Sequence, residues 1–180
     1  MPALEGFFRA VEAYSLGILL RETMDSLAHP PRVQIFATDI DEEALAVART
    51  GRYPDPLLSG LGPQRRKRFF RGDGAALLIY KEVRDMCIFS PHSVVGDPPF
   101  SRMNLVSCRN LLIYMGATLQ NQVIPTFHYA LRPGDYLILG SVKGISRHAH
   151  LFGAVDKKSR RHRKRRCNRS TRSWPPSMPS

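Results

Sequence analysis

The segment from Val33 to Gly51 constrains the fold of this chain more than any other. It reads VQIFATDIDEEALAVARTG, a short apolar run that ends in acids and continues into strong helix formers. A short apolar run bounded by polar residues is typical of a buried strand, and acids are favoured at the N-terminal end of a helix. The segment therefore predicts a strand, a loop with Asp39 and Asp41, and a helix that Gly51 closes, which is a repeating unit of parallel α/β sheets.

Strand and helix patterns alternate along the rest of the chain. They predict an amphipathic helix over residues 10–28, a strand over Met103–Val106, a helix over residues 117–131 and a strand over Tyr136–Val142. Prolines and glycines interrupt the pattern between residues 52 and 86, where ALLIYKEV is suited to one arm of a hairpin. The sequence thus predicts the α/β class, with a small β-subdomain over about 52–86.

The net charge of +12 is concentrated at the C-terminal end of the chain. Residues 157–180 contain ten Lys or Arg and no acid, whereas residues 1–156 contain 17 basic and 15 acidic side chains, a balance of +2. We therefore predict a nearly neutral domain over 1–156 and a basic, disordered tail over 157–180. Such a tail can bind phosphate without reading sequence, but the domain lacks the basic patch interleaved with aromatics that stacking on bases requires. Nucleic acid is a disfavoured partner.

Several classes of protein are unsupported by the motifs of this chain. The six histidines and three cysteines show neither HxxxH nor CxxC spacing, so no metal site and no disulfide framework are predicted. The sequence contains no GxSxG, P-loop or GxGxxG motif. No apolar run approaches the roughly 18 residues that span a membrane, and the first residues lack a secretory signal pattern. These features favour a cytoplasmic protein.

Polar residues stand at the ends of three of the predicted strands, where ligands bind in open α/β sheets. They are Asp39 and Asp41, then Cys108–Asn110, then Gly140 and Ser141. An acid such as Asp39 at a strand end can accept hydrogen bonds from both hydroxyls of a ribose. The alternative is that Asp39 and Asp41 only cap the next helix. Spacing alone leaves both interpretations open, with capping favoured for Asp41. Cys108, after the predicted strand Met103–Val106, has no histidine partner in its block and is predicted to be a buried structural thiol.

Four blocks in this order resemble the chemotaxis receptor methyltransferase (CheR) family: EAYSLGILLRE, IFATDIDEEALAVARTGRY, PPFSRMNLVSCRNLLIYM and LRPGDYLILGSV. The resemblance covers about residues 10–163, and the third block is similar to members fused to methylesterase and sensory domains. It implies a Rossmann-like fold that uses S-adenosyl-L-methionine as cofactor and has a small β-subdomain. The implied activity is transfer of the methyl group to glutamate side chains of chemoreceptors, and the implied partners are the cytoplasmic domains of methyl-accepting chemoreceptors.

The resemblance also implies which residues form the site. Asp39 matches the family's ribose-binding acid and Glu12 its ligand-contacting glutamate, while Ser93, followed by Val94, stands where the family has an asparagine on the adenine side. Tyr114 matches the active-site tyrosine and can orient the substrate carboxylate. The implied cofactor-binding residues are Glu12, Asp39, Ser93, Val94, Arg109 and Asn110, and the implied catalytic residues are Tyr114 and Arg109.

The chain departs from the family at its start. Members enter this domain with a strand and a glycine-rich turn of the type GCSTGEE, where this sequence reads MPALEGFFRAVEAYS. We therefore expect an N-terminally truncated member whose sheet lacks its first strand, which would expose the edges of the neighbouring strands. The alternative function is a catalytically inactive CheR-like binding or interaction module, and nucleic-acid binding through the basic tail ranks third.

Overall fold

Helices and strands alternate along the chain, which confirms the predicted α/β class. The computed structural model describes residues 2–109, 111–140, 144–156 and 161–165. The chain divides into two compact units, Met1–Ser93 and Val94–Ser180, each with its own strands and its own cluster of buried side chains. The sequence had predicted a single domain over most of this length.

The first unit contains one parallel strand pair and one small antiparallel sheet. Its described elements are α1 (Pro2–Asp25), β1 (Ile35–Asp39), α2 (Glu42–Thr50), β2 (Arg52–Pro54), a 3-10 helix (Asp55–Leu58), α3 (Pro63–Phe69), β3 (Phe70–Asp73), β4 (Ala76–Ile79), α4 (Lys81–Arg84) and β5 (Cys87–Pro91). Strands β1 and β5 run parallel, with Asp39 opposite Pro91 at their carboxyl ends.

The predicted strand–loop–helix unit is present as β1 and α2. Asp41 is the N-cap of α2, and its Oδ1 accepts a hydrogen bond from the Ala44 N–H at 3.0 Å. Gly51 ends the helix in the left-handed region at φ +64°, where the backbone of most residues other than glycine is strained. A Cβ at this position would also lie 2.8 Å from Cγ2 of Ile79, so the end of α2 packs closely on the small sheet.

The stretch predicted to be a β-subdomain forms a three-stranded antiparallel sheet in the order β2–β4–β3. Strands β3 and β4 form the predicted hairpin, with Gly74 at φ +62° in its turn. Tyr53 of this sheet packs edge-on against Tyr14 of α1, with ring centroids 6.0 Å apart. Burial raises the pKa of both phenols far above their usual range. The small sheet thus shares the apolar core of the first unit.

The three arginines of the basic cluster at residues 65–68 are paired with acids rather than left as a free basic face. The Arg65 guanidinium, hydrogen-bonded to Glu22, holds the pKa of that carboxyl below its usual range. These contacts tie α3 to α1 and α4, and they neutralise charge that a phosphate-binding patch would need. The ion pairs are Arg65–Glu22 (2.8 Å), Arg68–Asp25 (3.3 Å), Arg68–Glu82 and Arg66–Asp55.

The second unit is built on a mixed four-stranded sheet in the order β6–β7–β9–β8. Strands β6 and β7 run parallel, and β9 runs antiparallel to both of its neighbours. Leu112, Val123, Ile124 and Leu137 are fully buried in its core. The described elements are β6 (Met103–Cys108), a 3-10 helix (Leu112–Tyr114), α5 (Ala117–Ala130), β7 (Leu131–Leu139), a 3-10 helix (Gly144–His148), β8 (Phe152–Asp156) and β9 (Arg161–Lys164).

Strand β9 corrects the prediction of a disordered tail from residue 157. Residues Arg161–Lys164 pair with β7 on one side and β8 on the other, so their backbone groups are satisfied inside the sheet. His162 and Lys164 are half-buried while Arg161 and Arg163 are exposed, an alternation that suits a strand despite the charge. Residues 157–160 and 166–180 of the predicted tail lie outside the described residues.

Strands β1 and β6 each have one hydrogen-bonded strand partner within the described part of the chain, β5 and β7 respectively. On one face of the β1–β5 pair, Phe36 and Ile88 stand opposite each other and are 40% and 38% exposed. Parallel strands are usually covered on both faces, so this is an uncommon surface for such a pair. None of the helices in the described ranges is long and apolar enough to cross a membrane.

Three histidines of the second unit lie in surroundings that disfavour their charged form. Burial is the main cause of the lowered pKa of His128, His148 and His162. Lys164 also lowers the pKa of His128, whose ring packs edge-on against Phe152 at 5.4 Å between centroids. His148 is buried, with its Nε2 3.2 Å from Oδ1 of Asn121.

We expect the second unit to lose stability as the pH falls below about 6.5. Each of the three histidines has a folded-state pKa below that of the unfolded chain, so the unfolded state takes up protons first. Their contribution to stability is therefore complete above about pH 6.5 and is lost as the pH falls through the folded pKa. Urea unfolding, monitored through hydrogen exchange of the α5 amides, measures this loss. His128→Gln should reduce the pH dependence, whereas His29→Gln, at an exposed site of the first unit, should not.

Candidate functional site

The carboxyl end of β1 holds a buried carboxylate in a fixed orientation. Asp39 is 6% exposed, and its Oδ1 accepts hydrogen bonds from the backbone N–H groups of Ile40 at 2.7 Å and Asp41 at 3.1 Å. Because Asp41 itself caps α2, the two acids have different surroundings. The capping interpretation is confirmed for Asp41. Asp39 instead bonds to the loop before the helix.

The end of β5 lies beside Asp39 because the two strands are parallel and in register. The His92 N–H donates to the Asp39 carbonyl at 2.9 Å, which extends the pairing one residue beyond β5. Half-buried Ser93 follows directly. The structure therefore places two of the predicted site residues, Asp39 and Ser93, at neighbouring strand ends of the first unit.

Glu12 lies on α1, the helix that packs on β1 and β5. Glu12 is half-buried. The carbonyl of the next residue, Ala13, accepts a hydrogen bond from Sγ of Cys87 at 3.9 Å. Burial raises the pKa of the Cys87 thiol to about 12, which keeps it protonated at neutral pH and makes it a poor nucleophile. This thiol is part of the packing between α1 and β5.

The remaining predicted site residues belong to the second unit. Arg109 directly follows β6 and is exposed, and half-buried Val94 packs against the core cluster of this unit. Cys108, the last residue of β6, is buried, as predicted for a structural thiol. Asn110 lies outside the described residues.

Tyr114 is presented to solvent by a short, anchored turn. The tyrosine is 80% exposed, whereas Leu112 in the same 3-10 helix is fully buried. Gln120 of α5 fixes the turn, because its Nε2 donates to the carbonyls of Leu112 at 2.9 Å and Met115 at 3.0 Å. A phenol held at the surface in this way is accessible to a large substrate such as another protein.

Sequence reasoning named Gly140 as a strand end but missed what it does. The Gly140 N–H donates to the Cys108 carbonyl at 3.4 Å, and a Cβ on Gly140 would lie 1.8 Å from the carbonyl oxygen of Arg109. The ends of β6 and β7 thus approach so closely that only glycine fits. The signal available in the sequence was a glycine directly after the apolar run YLIL.

Metal-ion chemistry has no candidate site in the ranges that the structure describes. No group of three or more His, Cys, Asp or Glu side chains is placed there to hold a metal ion. The polar side chains at the ends of β1 and β5 in the first unit include the Asp39 carboxylate and the Ser93 hydroxyl, which suit hydrogen bonding with an organic ligand.

Comparison with known proteins relates this arrangement to one family. The family model described as "CheR methyltransferase, SAM binding domain" matches residues 10–161. An uncharacterized 104.1 kDa protein of Rhodobacter capsulatus is 34% identical over 152 residues, which is 84% of this chain and 16% of that protein. The chemotaxis protein methyltransferase of Escherichia coli is 31% identical over 144 residues, 75% of this chain and 49% of that protein.

Among solved structures, a possible exported protein from Bordetella parapertussis superposes with a TM-score of 0.48 and 14% identity, over 82% of this chain and 59% of that chain. A likeness at this level adds nothing to the family match. The chain spans about half the length of the Escherichia coli protein and a smaller share of the Rhodobacter protein. The match over residues 10–161 nevertheless covers most of the chain, which therefore belongs to the CheR methyltransferase family and carries its S-adenosylmethionine-binding domain.

Proposed function

We propose that this chain binds S-adenosylmethionine at the carboxyl ends of β1 and β5 and forms the catalytic part of a cytoplasmic methyltransferase that modifies glutamate side chains of chemoreceptors. The observation that carries the proposal is the buried, pre-oriented carboxylate of Asp39 at a parallel strand end. Membership of a family whose domain binds this cofactor supports it, as does the name of the Escherichia coli relative, chemotaxis protein methyltransferase.

The residues at these strand ends fit a nucleoside-containing cofactor. A carboxylate accepts hydrogen bonds from ribose hydroxyls, and one held by two backbone N–H groups need not be reoriented when the ligand binds. Ser93, next to it, supplies a hydroxyl on the neighbouring strand end. We assign Asp39 to the ribose, Ser93 and Val94 to the adenine side, and Glu12, Arg109 and Asn110 to further contacts with the cofactor.

The proposed reaction needs no metal ion and no covalent enzyme intermediate. When bound, S-adenosylmethionine supplies a methyl group on a positively charged sulfur, and a carboxylate oxygen takes it as the carbon–sulfur bond breaks. A glutamate is already ionised at neutral pH, because its ordinary pKa is about 4.3, so no general base is required. The role left to the protein is to hold the two reactants in line. We assign this role to the exposed hydroxyl of Tyr114, with the Arg109 guanidinium balancing the substrate charge.

Replacing Tyr114 by phenylalanine tests the positioning role. We expect kcat to fall about tenfold to a hundredfold, the effect of one hydrogen bond to the charged carboxylate, with the affinity for S-adenosylmethionine unchanged. The measurement is transfer of a radiolabelled methyl group to chemoreceptor cytoplasmic fragments, together with calorimetric titration of the cofactor. Tyr129→Phe, which removes a second exposed phenol from α5, is the matched control and should leave kcat unchanged. No heat from the unaltered protein at high micromolar cofactor would refute cofactor binding itself.

The second candidate function is a binding module of the same family without turnover. It is favoured by the open edges of β1 and of β6. Among the described residues, β1 pairs only with β5, and β6 pairs only with β7. Strand edges of this kind bind other chains readily. Cofactor binding without methyl transfer to any receptor fragment would support this candidate over the first.

A further inference from the structure

The guanidinium of Arg49 lies on a backbone carbonyl of β5. Arg49 is in the last turn of α2, and its Nε and Nη2 donate to the carbonyl oxygen of Phe89 at 3.2 and 2.9 Å. Two N–H groups of one planar side chain on a single oxygen fix the separation of α2 from β5. This contact joins residues 40 positions apart in the sequence.

The carbonyl that Arg49 covers points away from β1. On the β1 side, the Ile35 N–H donates to the Met86 carbonyl, and the His92 N–H donates to the Asp39 carbonyl. Backbone groups alternate in direction along a strand, so residues 86 and 92 face β1 and Phe89 faces the opposite edge. Within the described part of the chain, β5 has β1 as its strand partner. Arg49 therefore occupies an edge position where a further strand would otherwise pair.

The Arg49–Phe89 contact links the ends of β1 and β5 through α2, in addition to their direct pairing. From Asp39 the chain reaches Asp41, which caps the start of α2, and the end of α2 returns through Arg49 to β5. From Phe89, β5 leads to His92, whose N–H donates to the carbonyl of Asp39. Both the strand end that carries Asp39 and the neighbouring strand end are thus held at two points.

We propose that Arg49 is a positioning residue for the nucleoside-binding end of the first unit. By fixing β5 to α2 it keeps the His92 N–H on the Asp39 carbonyl, and so sets where the Asp39 carboxylate and the residue after His92 stand relative to each other. The consequence for ligand affinity rests on the function proposed above. The consequence for the backbone does not.

The test compares Arg49→Met and Arg49→Lys with Arg52→Met. Arg52 is the matched control because its guanidinium pairs with Asp73 at 2.9 Å, on the small sheet. Hydrogen exchange of the full chain is followed at the His92 amide. We expect exchange about tenfold faster in Arg49→Met, a smaller increase in Arg49→Lys, which keeps a donor, and no change in Arg52→Met. Affinity for S-adenosylhomocysteine should fall about fivefold to tenfold in Arg49→Met.

The outcomes separate the two proposals. If the His92 amide of Arg49→Met exchanges at the same rate as in the unaltered protein, the inference is overturned, whether or not the protein binds S-adenosylhomocysteine. Equally faster exchange at every amide of the first unit also overturns it, since that indicates a general loss of stability. Local acceleration with an affinity equal to that of Arg52→Met overturns the positioning role. If exchange is faster only near His92 in Arg49→Met and the unaltered protein does not bind S-adenosylhomocysteine, the proposed function is refuted. The inference that Arg49 holds the backbone of β5 is then supported.

Discussion

Replacement of Gly140 by alanine is expected to destabilise the second unit by about 3 kcal/mol and to displace the turn that carries Arg109. The added Cβ would lie 1.8 Å from the carbonyl oxygen and 2.7 Å from the carbonyl carbon of Arg109. Both atoms belong to the backbone, so no side-chain rotation relieves the overlap. The ends of β6 and β7 must separate, which weakens the hydrogen bond from the Gly140 N–H to the Cys108 carbonyl.

Urea unfolding of the Gly140→Ala variant, followed by circular dichroism, measures this effect. Gly153→Ala is the matched control, because Gly153 lies in β8 of the same sheet and its added Cβ would meet only Arg165 side-chain atoms, at 3.6 Å or more. The control should stay within about 0.5 kcal/mol of the unaltered protein. A Gly140→Ala variant as stable as the control would show that the two strand ends do not approach each other in solution.

The elements that the sequence predicted well are those whose signals are local. Asp41 and Gly51 mark the two ends of α2 because an N-cap and a left-handed C-cap are properties of a few adjacent residues. Helix α5 was predicted within a residue of its observed end, since its apolar periodicity and the Arg-Pro-Gly that follows are also local.

The elements that the sequence missed depend on distant partners. Strand β7 begins at Leu131 rather than Tyr136, because Leu131 pairs with Met103 of β6 ahead of a register irregularity that contains Pro133 and Gly134. Strand β9 was missed because its sequence, RHRK, is highly charged and is typical of a solvated tail. Its strand structure depends on pairing with β7 and β8. Pairing supplies the free energy for such a strand, and no local pattern reports it.

The candidate site shows the same division. The choice between capping and ligand binding at Asp39 and Asp41 was open in the sequence, and the hydrogen bond from the Ala44 N–H identifies Asp41 as the cap. Arg49 carried no signal of its contact with Phe89, since a basic residue in the last turn of a helix is explained locally by the helix dipole. The roles of Tyr114 and Arg109 remain predictions from resemblance, because exposure alone does not identify a ligand.

Replacing Asp39 by asparagine is expected to weaken binding of S-adenosylhomocysteine about a hundredfold. Asparagine keeps one oxygen for the N–H groups of Ile40 and Asp41, so the loop should retain its conformation. The second carboxylate oxygen becomes an NH₂ group, which donates where a ribose hydroxyl needs an acceptor, and the negative charge is lost. A hydrogen bond to a charged group contributes about 1.5 to 3 kcal/mol, and the larger value corresponds to a loss of about a hundredfold.

Asp41→Asn provides the control for this measurement. It removes the same charge two residues away, and asparagine is as good an N-cap as aspartate, so α2 should keep its start. Calorimetric titration of both variants then separates a direct contact from a general electrostatic effect, since only a direct contact distinguishes the two positions. Equal losses in the two variants would assign the effect to charge. An Asp39→Asn variant that binds as tightly as the unaltered protein would remove Asp39 from the site, and with it the observation on which the proposed cofactor position depends.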